Sequence, residues 1–261
     1  MAAPQLQLDY GECRIENITR EEWQARVQLA ACYRIFDHLG WTEMIYNHIT
    51  LRIPGDGKHI LINPFGLHYS EVTASNLIKI DLKGNKVSDS AYPVNPAGIP
   101  PHTNIHANLP DAHCVMHTHT TNGLAVACTK GGLSMTNFYA AQLSGKVAYH
   151  DFEGITVNAD EGPRMIKSIG DKPVVILRNH GLLVWGQSVA QAFVVLWTAQ
   201  RACDIQVASQ GLNDELIPIP QHVLDQCTRV ALQYDASYGG GVDVFNSLIR
   251  QIDLKDKSYK Y

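Results

Sequence analysis

"AHCVMHTHTTNG", residues 112–123, places two histidines one residue apart at the end of an apolar run. Successive side chains on a strand point to opposite faces, so His117 and His119 share a face and project side by side. Two imidazoles so placed suit one ion, since Zn–N distances are about 2.0–2.1 Å. The same spacing also fits two polar residues on a strand that bind nothing. The stretch reads as a strand through His119, followed by a helix over "TTNGLAVACTKG" that stops at Gly131-Gly132.

Strand and helix patterns continue outward on both sides. "PVVILRNHGLLVWG" (173–186) reads as a buried strand pair. "IYNHITLRI" (45–53) and "HILINPFG" (59–66) read as a hairpin, because Pro54-Gly55-Asp56-Gly57 between them is turn chemistry. Upstream, Thr19 and Glu22 have the spacing of a capping box, and the helix they open is expected to stop at Gly40. "YSEVTASNLIKIDLKGNKV" (69–87) reads as a short helix, then a strand turning at Gly84-Asn85. Residues 88–101 carry four prolines and are expected to form an ordered loop. "HTNIHANLPD" (102–111) then reads as a helix ending before Pro110. "KVAYHDFEGITV" (146–157) suggests more strand, and "ADEGPRMIKSIGD" (159–171) a helix with Pro163 in its first turn. Residues 188–210 form a long helical pattern with Ser188 as N-cap. Beyond Gly211 two further helical patterns flank Gly239–Gly241, so residues 212–261 read as a helical extension of a domain spanning 1–211. The chain ends in Tyr259 and Tyr261, placed to reach a site or a neighbouring subunit.

Composition narrows the function classes. Of 261 residues, 45% are hydrophobic and 18% charged, the profile of a folded globular protein. A net charge of −4 with no long basic run argues against nucleic acid or an anionic membrane as the main partner. Six scattered cysteines without a CxxC pair suggest free thiols in a reducing cytosol. The polar N-terminal stretch lacks a secretory pattern, and no apolar run approaches the roughly 20 residues of a membrane span. A soluble cytoplasmic protein is expected.

A third histidine, His180, follows four apolar residues and Arg178-Asn179, and precedes Gly181, where a buried strand turns. A buried imidazole needs partners. Three histidines with an open position are the pattern of a catalytic metal site, whereas structural sites are more often closed by cysteines. His117, His119 and His180 are therefore the candidate ligands.

With "GWTEMIYNHITLRI", "LINPFGLHYSEVTASNLIKIDLKG", "NPAGIPPHTNIHANLPDAHCVMHTHTTNGLAVA", "GKVAYHDFEGITV" and "VVILRNHGLLVWGQSVAQAF" in order, the chain resembles the class II aldolase/adducin domain family from about Val27 to Ser209. The resemblance implies an α/β fold, three layers α/β/α around a mostly antiparallel central sheet. It implies that His117, His119 and His180 bind a divalent metal, usually Zn2+, with Mn2+ or Fe2+ as alternatives. It also implies a homotetramer with active sites at subunit interfaces, and substrate-binding positions at Asn47 and Gly66. "YNHIT", "PFGL" followed by "YSEVTAS", and "VAYHD" are closest to the adducin head domain. Adducins continue into a neck and a basic tail; this chain stops at Tyr261, so a cytoskeletal role is not expected.

The sequence departs from the sugar-phosphate aldolases at one place. Their acid/base glutamate aligns with His102, and two phosphate-binding serines align with Pro100 and Pro101. Proline has neither N–H nor hydroxyl to offer a phosphate. Tyr46 beside Asn47 further fills that region. A non-phosphorylated substrate follows. His102 can serve in proton transfer, act as a fourth metal ligand, or hydrogen-bond locally. His106 is expected to be structural or to support the site, and His48 and His150 to be structural.

These readings converge on a divalent-metal-dependent lyase, aldolase or decarboxylase in type. It would cleave a C–C bond in a small hydroxy or keto acid through a metal-stabilised enolate, with His102 as the candidate catalytic residue. Two alternatives remain: a non-haem iron oxygenase on the same fold, and an adducin-like binding module without catalysis.

Overall fold

The computed structural model describes residues 5–155, 159–231 and 234–261. Seven strands form one mixed sheet: β1 (His48–Arg52), β2 (His59–Ile62), β3 (Ile78–Asp81), β4 (Cys114–Thr118), β5 (Val147–His150), β6 (Val174–Leu177) and β7 (Gly181–Gly186). Their order is β3-β2-β1-β4-β7-β6-β5. Every neighbouring pair is antiparallel except β5 with β6. The fold is the expected α/β arrangement on a mostly antiparallel sheet.

Period-two alternation divides the strand residues between two cores. Cys114 and Met116 of β4, Val174 and Ile176 of β6, and Leu182 and Val184 of β7 join one cluster. Val115, Val175, Leu177 and Leu183 join another on the opposite face. The first face is covered by α1 (Arg20–Leu39), α3 (Thr121–Ala127), α4 (Phe138–Gln142), α6 (Val189–Gln210) and α8 (Val242–Lys255). The second is covered by α2 (Ile99–Asn108) and α5 (Gly162–Ile169), through Ile105, Met165 and Ile169. Beyond the sheet's first-face helices, α7 (Gln221–Val230) packs on α4.

Local chemistry explains several boundaries. Thr19 caps α1 by accepting from the Glu22 N–H at 3.1 Å, and Gly40 ends it in the left-handed region at φ 70°. The reciprocal half of the capping box does not form. The Glu22 carboxylate turns inward, accepting from Arg26 at 2.9 and 3.0 Å and from Lys79 at 2.7 Å. Arg26 is buried and also donates to the Leu77 carbonyl, tying α1 to the segment before β3. Ser188 caps α6 as expected.

The proline-rich loop ends earlier than the sequence suggested. α2 begins at Ile99, so Pro100 and Pro101 lie in its first turn. The first backbone N–H groups of a helix have no partner within it, so proline costs nothing there. α3 also ends at Ala127, before the glycine pair expected to stop it. In the segment expected to hold more strand, β5 ends at His150; Thr156 and Val157 lie outside the described residues. Of the C-terminal helical patterns, Leu232 and Gln233 lie outside them too. Phe245, Ile249 and Ile252 of α8 enter the same core as α1 and α6, and so does Tyr259. Among the described residues, no helix is long and apolar enough to cross a membrane.

Candidate metal centre

The three expected ligands converge. The ligand nitrogens of His117, His119 and His180 lie within 4.8 Å of one another. Their rings are 4.5 to 5.0 Å apart between centroids. His117 is the penultimate residue of β4, and His119 follows the strand's end. His180 occupies the β6–β7 turn, where its N–H donates to the Leu177 carbonyl at 3.1 Å. Asn179 takes φ 57° in that turn, a conformation asparagine tolerates better than most residues. Gly181 makes the approach feasible: a Cβ there would lie 2.3 Å from the Thr118 carbonyl oxygen and 3.2 Å from the His119 ring.

The donor set fits a divalent cation. His117 Nδ1–H donates to the Leu182 carbonyl at 2.9 Å, which leaves its Nε2 as the lone pair turned toward His119 Nε2, 2.7 Å away. A backbone acceptor of this kind fixes the tautomer and orientation of a metal-binding histidine. Burial pushes the pKa of His117 well below the ordinary imidazole value, helped by His119 and His180. Burial lowers His119 as well, against the opposing pull of Glu43. His180 is pushed down to about 4 by burial and by His119. Neutral imidazoles are the ligating form.

A cavity of ≈ 490 Å3 opens over these residues. Its walls include Pro101, Leu124, Phe152, Ile155, Leu177 and Leu183. Among the described residues, the polar groups beyond the three histidines are Glu43, Tyr46, His48, Asn95 and Asn179, and no lysine or arginine lines the cavity.

The remaining expected site residues sit elsewhere. His102 is fully buried behind the cavity wall, where its ring nitrogens meet His48 at 2.7 Å and Thr50 at 2.6 Å. His48 is the imidazole that lines the cavity in its place. Asn47 is buried, with neither amide atom hydrogen-bonded among the described residues, and does not line the cavity. Gly66 is exposed at φ 107° and does not line it either. His150 is buried between Glu161 and Ser168, each at 3.1 Å. From the sequence His48 is expected only to be structural, and Glu43 is not singled out. For His48 the one local signal is its i, i+2 relation to Thr50, the same periodicity that flagged His117 and His119.

Comparison with known proteins agrees with this architecture. The profile of the Class II Aldolase and Adducin N-terminal domain matches residues 27–207. A Pseudomonas aeruginosa protein provisionally named an aldolase class 2 protein is 39% identical over 245 residues, 93% of this chain and 94% of that one. Rat alpha-adducin is 47% identical over 198 residues, 74% of this chain but 27% of that protein. The crystal structure of an aldolase II superfamily protein from Pseudomonas syringae superposes with a TM-score of 0.88 at 40% identity, covering 94% of this chain and 98% of that one. L-fuculose 1-phosphate aldolase from Glaciozyma antarctica shares the fold at a TM-score of 0.81 and 23% identity, over 97% and 98% of the two chains. With its profile match, its relatives and its histidine-bearing sheet in agreement, the chain belongs to the class II aldolase and adducin N-terminal domain family.

Proposed function

We propose that this protein is a divalent-metal-dependent lyase of the aldolase or decarboxylase type, acting on a small non-phosphorylated hydroxy or keto acid. The observation that carries the reading is the three neutral, convergent imidazoles lining a largely apolar cavity. Zn2+, or Mn2+ or Fe2+ in its stead, would be held by His117, His119 and His180 and supplies Lewis acidity that eases the charge developing as a C–C bond breaks. The Leu182 carbonyl holds the His117 ring in the ligating tautomer. Pro101, Leu124 and Leu183 exclude water from the wall beside the ligands. A phosphate would carry two charges into a cavity that, among the described residues, offers no lysine or arginine. The rim bears Tyr46, Phe152 and Ile155, half or more exposed, which supports a homotetramer with the cavity at a subunit boundary. Residues 212–261 are read as an extension of the domain, supported by the entry of α8 into its core.

Elemental analysis of the purified protein, followed by product assays over hydroxy and keto acids, tests the proposal. One divalent ion per chain and turnover that depends on it are expected. A protein that neither retains nor is stabilised by added Zn2+, Mn2+ or Fe2+ would overturn it in favour of an adducin-like binding module. Oxygen consumption with iron bound would point to an oxygenase instead.

A further inference from the structure

Behind the cavity runs a single file of buried polar side chains. His48 Nδ1 lies 2.7 Å from His102 Nε2, and His102 Nδ1 lies 2.6 Å from Thr50 Oγ1. Thr50 Oγ1 lies 2.8 Å from His106 Nε2, and His106 Nδ1 lies 2.7 Å from the Ala112 carbonyl oxygen. All four side chains are buried. His48 and Thr50 alternate on β1, while His102 and His106 are one turn apart on α2.

The far end of the file dictates where each hydrogen sits. A carbonyl only accepts, so His106 carries its hydrogen on Nδ1. Burial, with Arg52 nearby, pushes the His106 pKa down to about 3, so the ring is neutral and its Nε2 is bare. A bare nitrogen only accepts, so the one hydroxyl hydrogen of Thr50 goes to it. With that hydrogen committed, the Thr50 oxygen accepts from His102 Nδ1–H. His102 Nε2 is then bare and accepts from His48 Nδ1–H. The neutral His48 ring is left with an Nε2 lone pair and, among the described residues, no hydrogen bond to it.

Packing keeps the ring from turning away. On one side His48 stacks on His117, with centroids 5.1 Å apart and planes at 29°. On the other it meets Gly98, where a Cβ would fall 2.7 Å from His48 Cδ2 and 3.0 Å from Nε2.

We infer that His48 presents a fixed Nε2 lone pair to the cavity beside the three-histidine cluster and accepts a hydrogen bond from a substrate hydroxyl. Thr50, His102 and His106 are positioning residues that set its tautomer. This deepens the proposed function and rests on it for the substrate; the tautomer stands independently. It also selects among substrates. A group at this nitrogen must bring a hydrogen, so a hydroxy acid fits and a keto acid with only oxygen lone pairs does not.

Long-range 1H–15N correlation on histidine-labelled, zinc-loaded protein reads each tautomer directly, with His48→Gln assigning its resonances. Hydrogen on Nδ1 and a bare Nε2 are expected for His48, His102 and His106. An Nε2–H on His48 overturns the inference, whatever the protein's activity. Failure to turn over any acid would remove the lyase reading and leave that spectrum unchanged. The acceptor role is read with lactate against propionate as probes. Lactate should bind about tenfold more tightly to the wild type, about one hydrogen bond's worth. The preference should vanish in both His48→Leu and Gly98→Ala. Its persistence in both would assign it to another group and overturn the role.

Discussion

The two faces of the sheet put the same strands to different uses. On the α1–α6 face the packing is apolar and aromatic: Phe36, Trp41, Phe193 and Phe245 stack, tilt or meet edge to face at centroid distances of 5.5 to 6.2 Å. On the α2–α5 face the sheet carries His48, Thr50 and His117, and α2 answers with His102 and His106. The register pairs His48 with His117 across β1 and β4, which brings the imidazoles of two strands together. The first face carries the larger of the two apolar clusters. The second can then keep polar, depressed-pKa groups buried, because its own packing is not asked to supply most of the stability.

If that division holds, damage to one face should leave the other's property standing. The largest expected effect is on the apolar face. Phe193 is fully buried where α6 meets α1 and α8. Phe193→Ala should cost about 3–5 kcal/mol of unfolding free energy, measured by urea denaturation. Zinc affinity of the folded fraction should change less than about threefold. A loss of affinity that tracks the loss of stability would show that the faces are coupled.

The reverse experiment is His180→Ala. The wild type should gain about 2.7 kcal/mol of stability at a zinc concentration of one hundred times Kd. The variant should gain none, with metal-free stability within about 1 kcal/mol of wild type, because the half-buried ring leaves the turn's backbone bond to Leu177 in place. Calorimetry with and without zinc reads both.

These contrasts also separate what was legible in the sequence from what was not. His117, His119 and His180 were legible because strand alternation and a turn closed by Gly181 are local properties. The file through His48, Thr50, His102 and His106 depends on β1 lying beside β4 in one register and on α2 lying across them. Neither fact is written in any short stretch. Pro100 and Pro101 suggest a loop by the rule for helix interiors, whereas they occupy the first turn, where that rule does not apply. Glu22 had the spacing of a capping partner, but a buried guanidinium is a stronger claim on a carboxylate than a backbone N–H at a helix end. Gly66, implied by resemblance alone, lies exposed and outside the cavity lining.

A smaller effect comes from pH. His106 has a folded-state pKa near 3 against an ordinary 6.5. Between those values the unfolded chain binds more protons than the folded one, so stability rises with pH across that window. The contribution is fully present above about 6.5 and is lost as the pH falls toward 3. His106→Asn keeps a donor for the Ala112 carbonyl but does not titrate there. Its unfolding free energy should fall less steeply from pH 6 to 4, by up to about 1.4 kcal/mol per pH unit. A slope equal to wild type would mean that His106 is not the proton acceptor.

The smallest effect returns to the apolar face, at the chain's end. Tyr259 was a candidate to reach the site or a neighbouring subunit, yet its ring is fully buried in the core with α1 and α8. Its hydroxyl donates to Asp253 Oδ1 at 2.7 Å, while Lys260 reaches Oδ2 of the same carboxylate at 2.9 Å. Its backbone carbonyl also accepts from the Ala74 N–H at 2.8 Å, pinning the terminus beside the segment that Arg26 holds. Tyr259→Phe keeps the ring and removes one hydrogen bond to a charged group, with Lys260 still pairing the carboxylate. The expected cost is about 1–2 kcal/mol in urea denaturation, with zinc affinity unchanged. Because, among the described residues, no hydrogen bond or ring contact joins Tyr259 to His117, His119 or His180, a changed zinc affinity in this variant would be the most economical evidence that the sheet transmits packing from one face to the other.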